Sequence, residues 1–108
     1  MYRRLCAGMA VAAFVLFMAP AFAGVQDFYV RNYGKFAVFY IFVSPDYSDD
    51  WEEDVLGSEV LMPGEELEIT MHGYGNHCFF DIYVEDERGN YREYWGVDLC
   101  SVLYVDFP

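Results

Sequence analysis

Acidic side chains crowd one stretch of this 108-residue chain: Asp46, Asp49, Asp50, Glu52, Glu53 and Asp54 all fall between residues 46 and 54. Calcium takes several carboxylate oxygens at once, so Asp46, Asp49, Asp50 and Asp54 form a candidate site for calcium or another metal. The spacing lacks the alternating acids and central glycine of an EF-hand loop, which leaves a solvated, helix-capping loop as the competing reading. Within it Asp54 is suited to accept backbone amides near Gly57 or from another loop. His72 and His77 bracket Gly73-Tyr74-Gly75-Asn76, and a tight hairpin there brings two imidazoles together, too few for a closed zinc or copper site. Nucleophilic catalysis finds no support. Ser44, Ser48, Ser58 and Ser101 stand in no nucleophile-elbow context, no glycine-rich phosphate loop follows a strand, and no catalytic residue is assigned.

Those residues sit on a chain that reads as exported. Arg3 and Arg4 precede an uncharged apolar run from Leu5 to Met18, and Pro20 leads into Ala21-Phe22-Ala23, the three parts of a signal peptide cleaved after Ala23. A retained membrane anchor is the alternative, disfavoured by the short apolar run and the Ala-x-Ala end. Residues 1–23 are therefore expected to be removed, and residues 24–108 to form one domain in the periplasm or outside the cell. Cleavage removes Cys6, and the remaining pair, Cys78 and Cys100, reads as a disulfide in an oxidising compartment. Eighteen acidic and four basic residues follow residue 23, a formal charge of −14. Nucleic-acid backbones and anionic membrane surfaces would be repelled.

The elements that must position these groups are strands. Val25 to Asn32 is one, and Tyr33-Gly34-Lys35 turns the chain into Phe36 to Ser44, a run apolar on both faces that belongs mid-sheet or between sheets. Ser44-Pro45 ends it. Asp46 to Gly57 breaks the pattern, and a helical turn is expected there, capped by Ser48 or Asp49 and closed by Gly57, with Trp51, Val55 and Leu56 turned down onto the sheet. Met62-Pro63-Gly64 turns into Glu65 to His72, where Leu67, Ile69 and Met71 alternate with polar residues. Cys78 to Glu87 and Tyr91 to Leu99 flank Gly89-Asn90, a hairpin signal. A two-residue turn there opposes Phe80 to Leu99, Ile82 to Val97, Val84 to Trp95 and Glu87 to Arg92, and leaves the cysteines one step out of register. A bulge in the first arm or a three-residue loop over 88–90 repairs that. Val102 to Phe107 supplies the final strand. The expected fold is all-β: a small two-sheet antiparallel sandwich of about six strands, one short helical turn and one disulfide.

Trp51-x-x-Asp54-x-Leu56-Gly57, Leu61-x-Pro63-Gly64, Cys78-x-x-Asp81-Ile82, Gly89 and Asp98-Leu99-Cys100 follow one another in order. Together with Asn32 and Ser44-Pro45 they resemble a group of small exported bacterial proteins of unknown function. Chains that look like this sometimes carry names such as argininosuccinate lyase or Tat pathway signal protein. The former is a large helical tetramer whose active site an 85-residue β domain cannot build. The resemblance implies a fold and supplies no catalytic residue.

Eighteen aromatic side chains lie after residue 23, more than one small core needs. Tyr29, Tyr33, Tyr47, Tyr74, Tyr83, Tyr91 and Tyr94 are candidates for the surface, where tyrosine commonly builds binding patches. Covering the faces of sheets is their plainer role. The expected function is thus a non-catalytic exported domain that binds an envelope protein, peptide or glycan through aromatic side chains. A calcium- or metal-binding module through the acidic loop is second, and a hydrolase is a distant third.

Overall fold

A computed structural model describes residues 24–108, and the predicted signal peptide lies outside the described residues. Alternation organises the first strand, β1 (Phe28–Asn32): Phe28, Val30 and Asn32 are buried while Tyr29 and Arg31 point outward. The others are β2 (Val38–Pro45), β3 (Glu53–Asp54), β4 (Glu66–Ile69), β5 (Phe79–Asp86), β6 (Tyr91–Asp98) and β7 (Tyr104–Phe107). They form a three-stranded sheet in the order β4-β1-β7 and a four-stranded sheet in the order β3-β2-β5-β6. Phe28, Val30, Ile69, Val105 and Phe107 from the first sheet join Val38, Ile41, Val43, Phe80, Ile82 and Val84 from the second in one core. Each such side chain taken fully from water contributes about 1.5–3 kcal/mol.

The six expected strands are present within this all-β two-sheet fold, with β3 as a short seventh. At the level of whole elements, two features differ from expectation. One pairing is parallel, not antiparallel: β7 runs beside β1, with Tyr29 opposite Tyr104 and Asn32 opposite Phe107. The helical turn over 46–57 is also absent among the described residues. Local side chains take the amides a helix would use: Ser44 Oγ accepts Glu52 N at 2.8 Å, Ser48 Oγ accepts Asp50 N at 3.3 Å, and Asp54 Oδ1 accepts Leu56 N at 3.1 Å. A dozen residues cannot nucleate a helix against such competition. The same Asp54 oxygen accepts Ile41 N at 3.0 Å and docks β3 onto the free edge of β2.

Asp86, not the Gly-Asn pair, decides the hairpin register. Its carboxylate accepts Arg88 N, Asn90 N and Asn90 Nδ2 at 2.9, 3.0 and 3.0 Å, and its own N–H donates to Asn90 O at 2.9 Å. Residues 86 and 90 therefore close a three-residue loop over 87–89, one position earlier than the loop expected, with Gly89 at φ +84°. Val84 opposes Arg92 and Ile82 opposes Tyr94, in place of the expected partners Trp95 and Val97. Beyond Ile82 the register slips at Trp95-Gly96, a bulge in the second arm instead of the first. Gly96 sits at φ +62° and donates its N–H to Asp81 Oδ1 at 2.9 Å. Phe80 then opposes Val97, Leu99 N donates to Cys78 O at 2.8 Å, and the chain turns so that Cys78 and Cys100 bond with Cα atoms 5.2 Å apart.

Burial alone pushes the Asp86 carboxyl up, but the hydrogen bonds from Asn90 and Arg88, helped by the Arg88 charge, outweigh it and hold the carboxyl below the ordinary aspartate range. Its contribution to stability is therefore complete above the unfolded value of roughly 3.9 and is lost as pH falls through the lower folded value. Asp86→Ala should cost about 2 kcal/mol at pH 7. Denaturant midpoints of variant and native protein should converge as pH is taken below about 3.9, and a gap constant with pH would show that the ionised carboxylate is not the staple.

Candidate aromatic binding face

One register irregularity decides the outer face of the four-stranded sheet. The first six positions of β2, a run apolar on both faces, would by strict alternation put Val38, Tyr40 and Phe42 on one side. A bulge between Val38 and Tyr40 absorbs Phe39, so Val38, Ile41 and Val43 enter the core while Tyr40 and Phe42 face out. On β5, Ile82 and Val84 point inward and Asp81, Tyr83 and Glu85 outward; across the register Tyr83 lies between Phe42 and Glu93, and Glu85 between Tyr40 and Tyr91. On β6, Tyr94 pairs with inward Ile82, so alternation puts Trp95, 63% exposed, on the same outer surface just before the Gly96 bulge.

The rings touch in series. Tyr40 stacks on Phe42 with centroids 6.3 Å apart, Phe42 meets Tyr83 at 6.0 Å, and Tyr83 stacks on Tyr91 at 5.5 Å and 18°. Trp51 closes the array: its ring lies 5.7 Å from Tyr83 and 5.6 Å from Trp95. The expectation that Trp51 turns down into the core is thus corrected. With the helix replaced by an irregular segment, only Leu56 of the three apolar residues is buried in the core, Val55 packs at its margin, and Trp51 lies across the outer face.

Tyr40, Phe42, Trp51, Tyr83 and Glu85 line an open depression of about 420 Å³. Tyr83 Oη donates a short hydrogen bond to Glu85 Oε1, which with burial and the Glu85 charge pushes the phenol up to about 12. Tyr83 therefore remains a protonated donor at neutral pH. Trp51 also lines a second crevice, with Ser44, Ser48, Asp49, Asp50, Asp81 and Trp95.

The chain has no match among protein-family models, curated proteins or solved structures.

The remaining residues singled out by sequence are dispersed. Asp46 Oδ1 lies 2.9 Å from His77 Nε2, which is also 2.7 Å from Phe79 O; two acceptors on one nitrogen assign the proton to Nε2. Asp54 is engaged by Ile41 and Leu56 amides, while Asp49 and Asp50 are exposed. Among the described residues, Asp46, Asp49, Asp50 and Asp54 do not gather three ligand oxygens within 4.8 Å; the group that does meet that spacing is Asp98 with the two disulfide cysteines, whose sulfurs are already bonded to each other. Gly57 and Gly64 hold positive φ of +61° and +86°, and Met62-Pro63-Gly64-Glu65 closes through Glu65 N to Met62 O at 3.0 Å. Of the tyrosines expected at the surface, Tyr83 and Tyr91 join the aromatic array. Tyr29 instead stacks on Tyr104 of the opposite sheet, Tyr33 lies under the Arg31 guanidinium, Tyr47 meets His77 and Tyr74 meets Phe80 edge to face, while Tyr94, half-buried, donates to Asp106 O. Tyr40, Phe42, Trp51 and Trp95 complete the face and were not among those candidates. The signal for them is the two-faced apolar run of β2, since a central strand with no second cover must show one of its faces to solvent.

Proposed function

We propose that this protein is an exported, non-catalytic binding domain of the cell envelope, periplasmic or secreted, whose partner lies on the aromatic face of the four-stranded sheet. The single observation that carries this reading is the unbroken ring-to-ring series from Tyr40 to Trp95 on an exposed surface. Cross-strand ring pairs also steady a sheet, but a connected array of Trp and Tyr left open to solvent is the kind of surface that anchors interfaces at low entropic cost. The Cys78–Cys100 disulfide is compatible with an oxidising compartment and supports the export reading. Rings and carboxylates on the face suit binding, which supports the non-catalytic reading.

Trp95→Ala removes one exposed ring and should leave stability within about 0.5 kcal/mol of native, while abolishing the interaction. The measurement is capture from envelope extract by native protein and by the variant, followed by titration of the purified captured component against tryptophan fluorescence. Equal affinity for both proteins would place the partner elsewhere.

A further inference from the structure

We propose that the occupant of the aromatic face is a basic, extended peptide segment of a partner protein, with arginine side chains laid on the rings and paired to the carboxylates beside them. This rests on the binding face described above and names what it binds.

The charge distribution carries the inference. Glu85 stands in one register row between Tyr40 and Tyr91, Glu93 flanks Tyr83, and Asp81 with Asp49 and Asp50 lines the crevice beside Trp95. Among the described residues the ion pairs are Arg31–Asp106 and His77–Asp46, so none of these five face acids has a cationic partner. The arginines and lysine of the described residues are directed elsewhere. Arg31 is held on the opposite sheet by Asp106 and sits 4.0 Å from the Tyr104 ring centroid. Arg88 stacks on Phe36 at 4.7 Å, Lys35 is in the β1–β2 connection, and Arg92 opposes Val84 on the inner side of β6.

Aromatic faces ringed by unpaired carboxylates attract cations twice, through the ring quadrupole and through the charge. Arginine satisfies both because its planar guanidinium stacks on a ring while its fork bonds a carboxylate. Glu85 offers Oε2 for this, since Tyr83 occupies Oε1. A second copy of the chain, a phosphate backbone or an anionic lipid surface would bring negative charge onto negative charge. The depression and the crevice share one indole, Trp51, which lines both. In an extended peptide, side chains at i and i+2 project to one side roughly 6.6 Å apart, which suits one arginine in each of two adjoining recesses.

The test is titration of the purified protein with an acetylated, amidated pentapeptide carrying arginine at its second and fourth positions. Parallel titrations use the same peptide with citrulline, which keeps the shape and removes the charge, the same peptide with glutamate, and a neutral oligosaccharide. Tryptophan fluorescence and calorimetry supply the readouts. The arginine peptide should bind, weaken steeply with added salt, and lose roughly tenfold or more in affinity on citrulline substitution. Glu85→Gln and Trp95→Ala should each weaken it comparably, with unchanged melting temperatures showing that both variants are folded. Citrulline peptide or oligosaccharide binding as well as arginine peptide, with Trp95→Ala still destructive, overturns the cationic occupant and leaves the aromatic binding face standing. Arginine-peptide binding that both variants leave intact places the site elsewhere. Tryptophan fluorescence indifferent to every probe overturns the cationic occupant, and envelope capture unaffected by Trp95→Ala overturns the face itself.

Discussion

Cys100→Ala should lower the unfolding free energy by roughly 3 kcal/mol, the chain-entropy contribution expected for a crosslink spanning 22 residues. That is a large share of the roughly 5 kcal/mol or less that a core of this size provides. The bond closes the open end of the β5–β6 hairpin, below the Gly96 bulge where the ladder is already interrupted, and the turn over 99–101 leads directly into the β7 strand. Without it the second arm is held at that end by the Leu99 N to Cys78 O bond and by the burial of Leu99. Chemical denaturation of the variant, and of native protein under reductant, should give the same displaced midpoint. Midpoints within experimental error of the oxidised native protein would show that the crosslink restrains nothing the fold needs.

Asn32→Asp should be more damaging still, at about 3–5 kcal/mol, although it changes one atom. Asn32 is 1% exposed at the end of β1. Its Nδ2 donates to Phe36 O and Leu61 O, each at 2.9 Å, and its Oδ1 accepts Gly34 N at 2.8 Å. Its main chain accepts Gly64 N at 2.7 Å and donates to Glu65 O at 3.0 Å. The side chain thus ties the β1–β2 turn and the Leu61 bridge to Val38 to the core, while the main chain of the same residue holds the Pro63-Gly64 turn. An aspartate would aim an ionised oxygen at two carbonyls and bury it uncompensated. That carboxyl would titrate above its unfolded value, so its penalty is full at pH 7 and shrinks as pH falls toward roughly 4, opposite in sign to the effect of Asp86. Thermal melts across that range check both the size and the direction; a variant as stable as native at pH 7 refutes the tie.

What could be read from the residues alone was what neighbours in sequence decide. Leu67-x-Ile69-x-Met71 alternates and becomes a strand edge with one wet face, and Pro63-Gly64 turns the chain because proline presets one dihedral and glycine accepts φ of +86°. The cysteine pair followed from compartment and parity. Three things turned on contacts that spacing does not contain. The hairpin register went to Asp86, whose carboxylate gathers three donors within its own loop and overrides the Gly-Asn signal. Trp51 was read as core because a tryptophan beside apolar neighbours in a short helix would face the sheet; hydroxyl and carboxylate bonds to the backbone removed the helix and with it that geometry. The aromatic face needed the bulge at Phe39, which changes the parity of a strand whose two faces are equally apolar and therefore equally uninformative.

The parallel seam between β1 and β7 bears on how the molecule is made. Arg31 and Asp106, which meet across it, are separated by 75 positions, so the inner edge of β1 has no strand to pair with until nearly the whole domain has been synthesised. Contacts of that span are slow to close because the intervening chain must first surrender its freedom. The three-stranded sheet therefore stays incomplete until residues 104–107 arrive, whereas every strand of the four-stranded sheet lies within residues 38–98 and can pair before them.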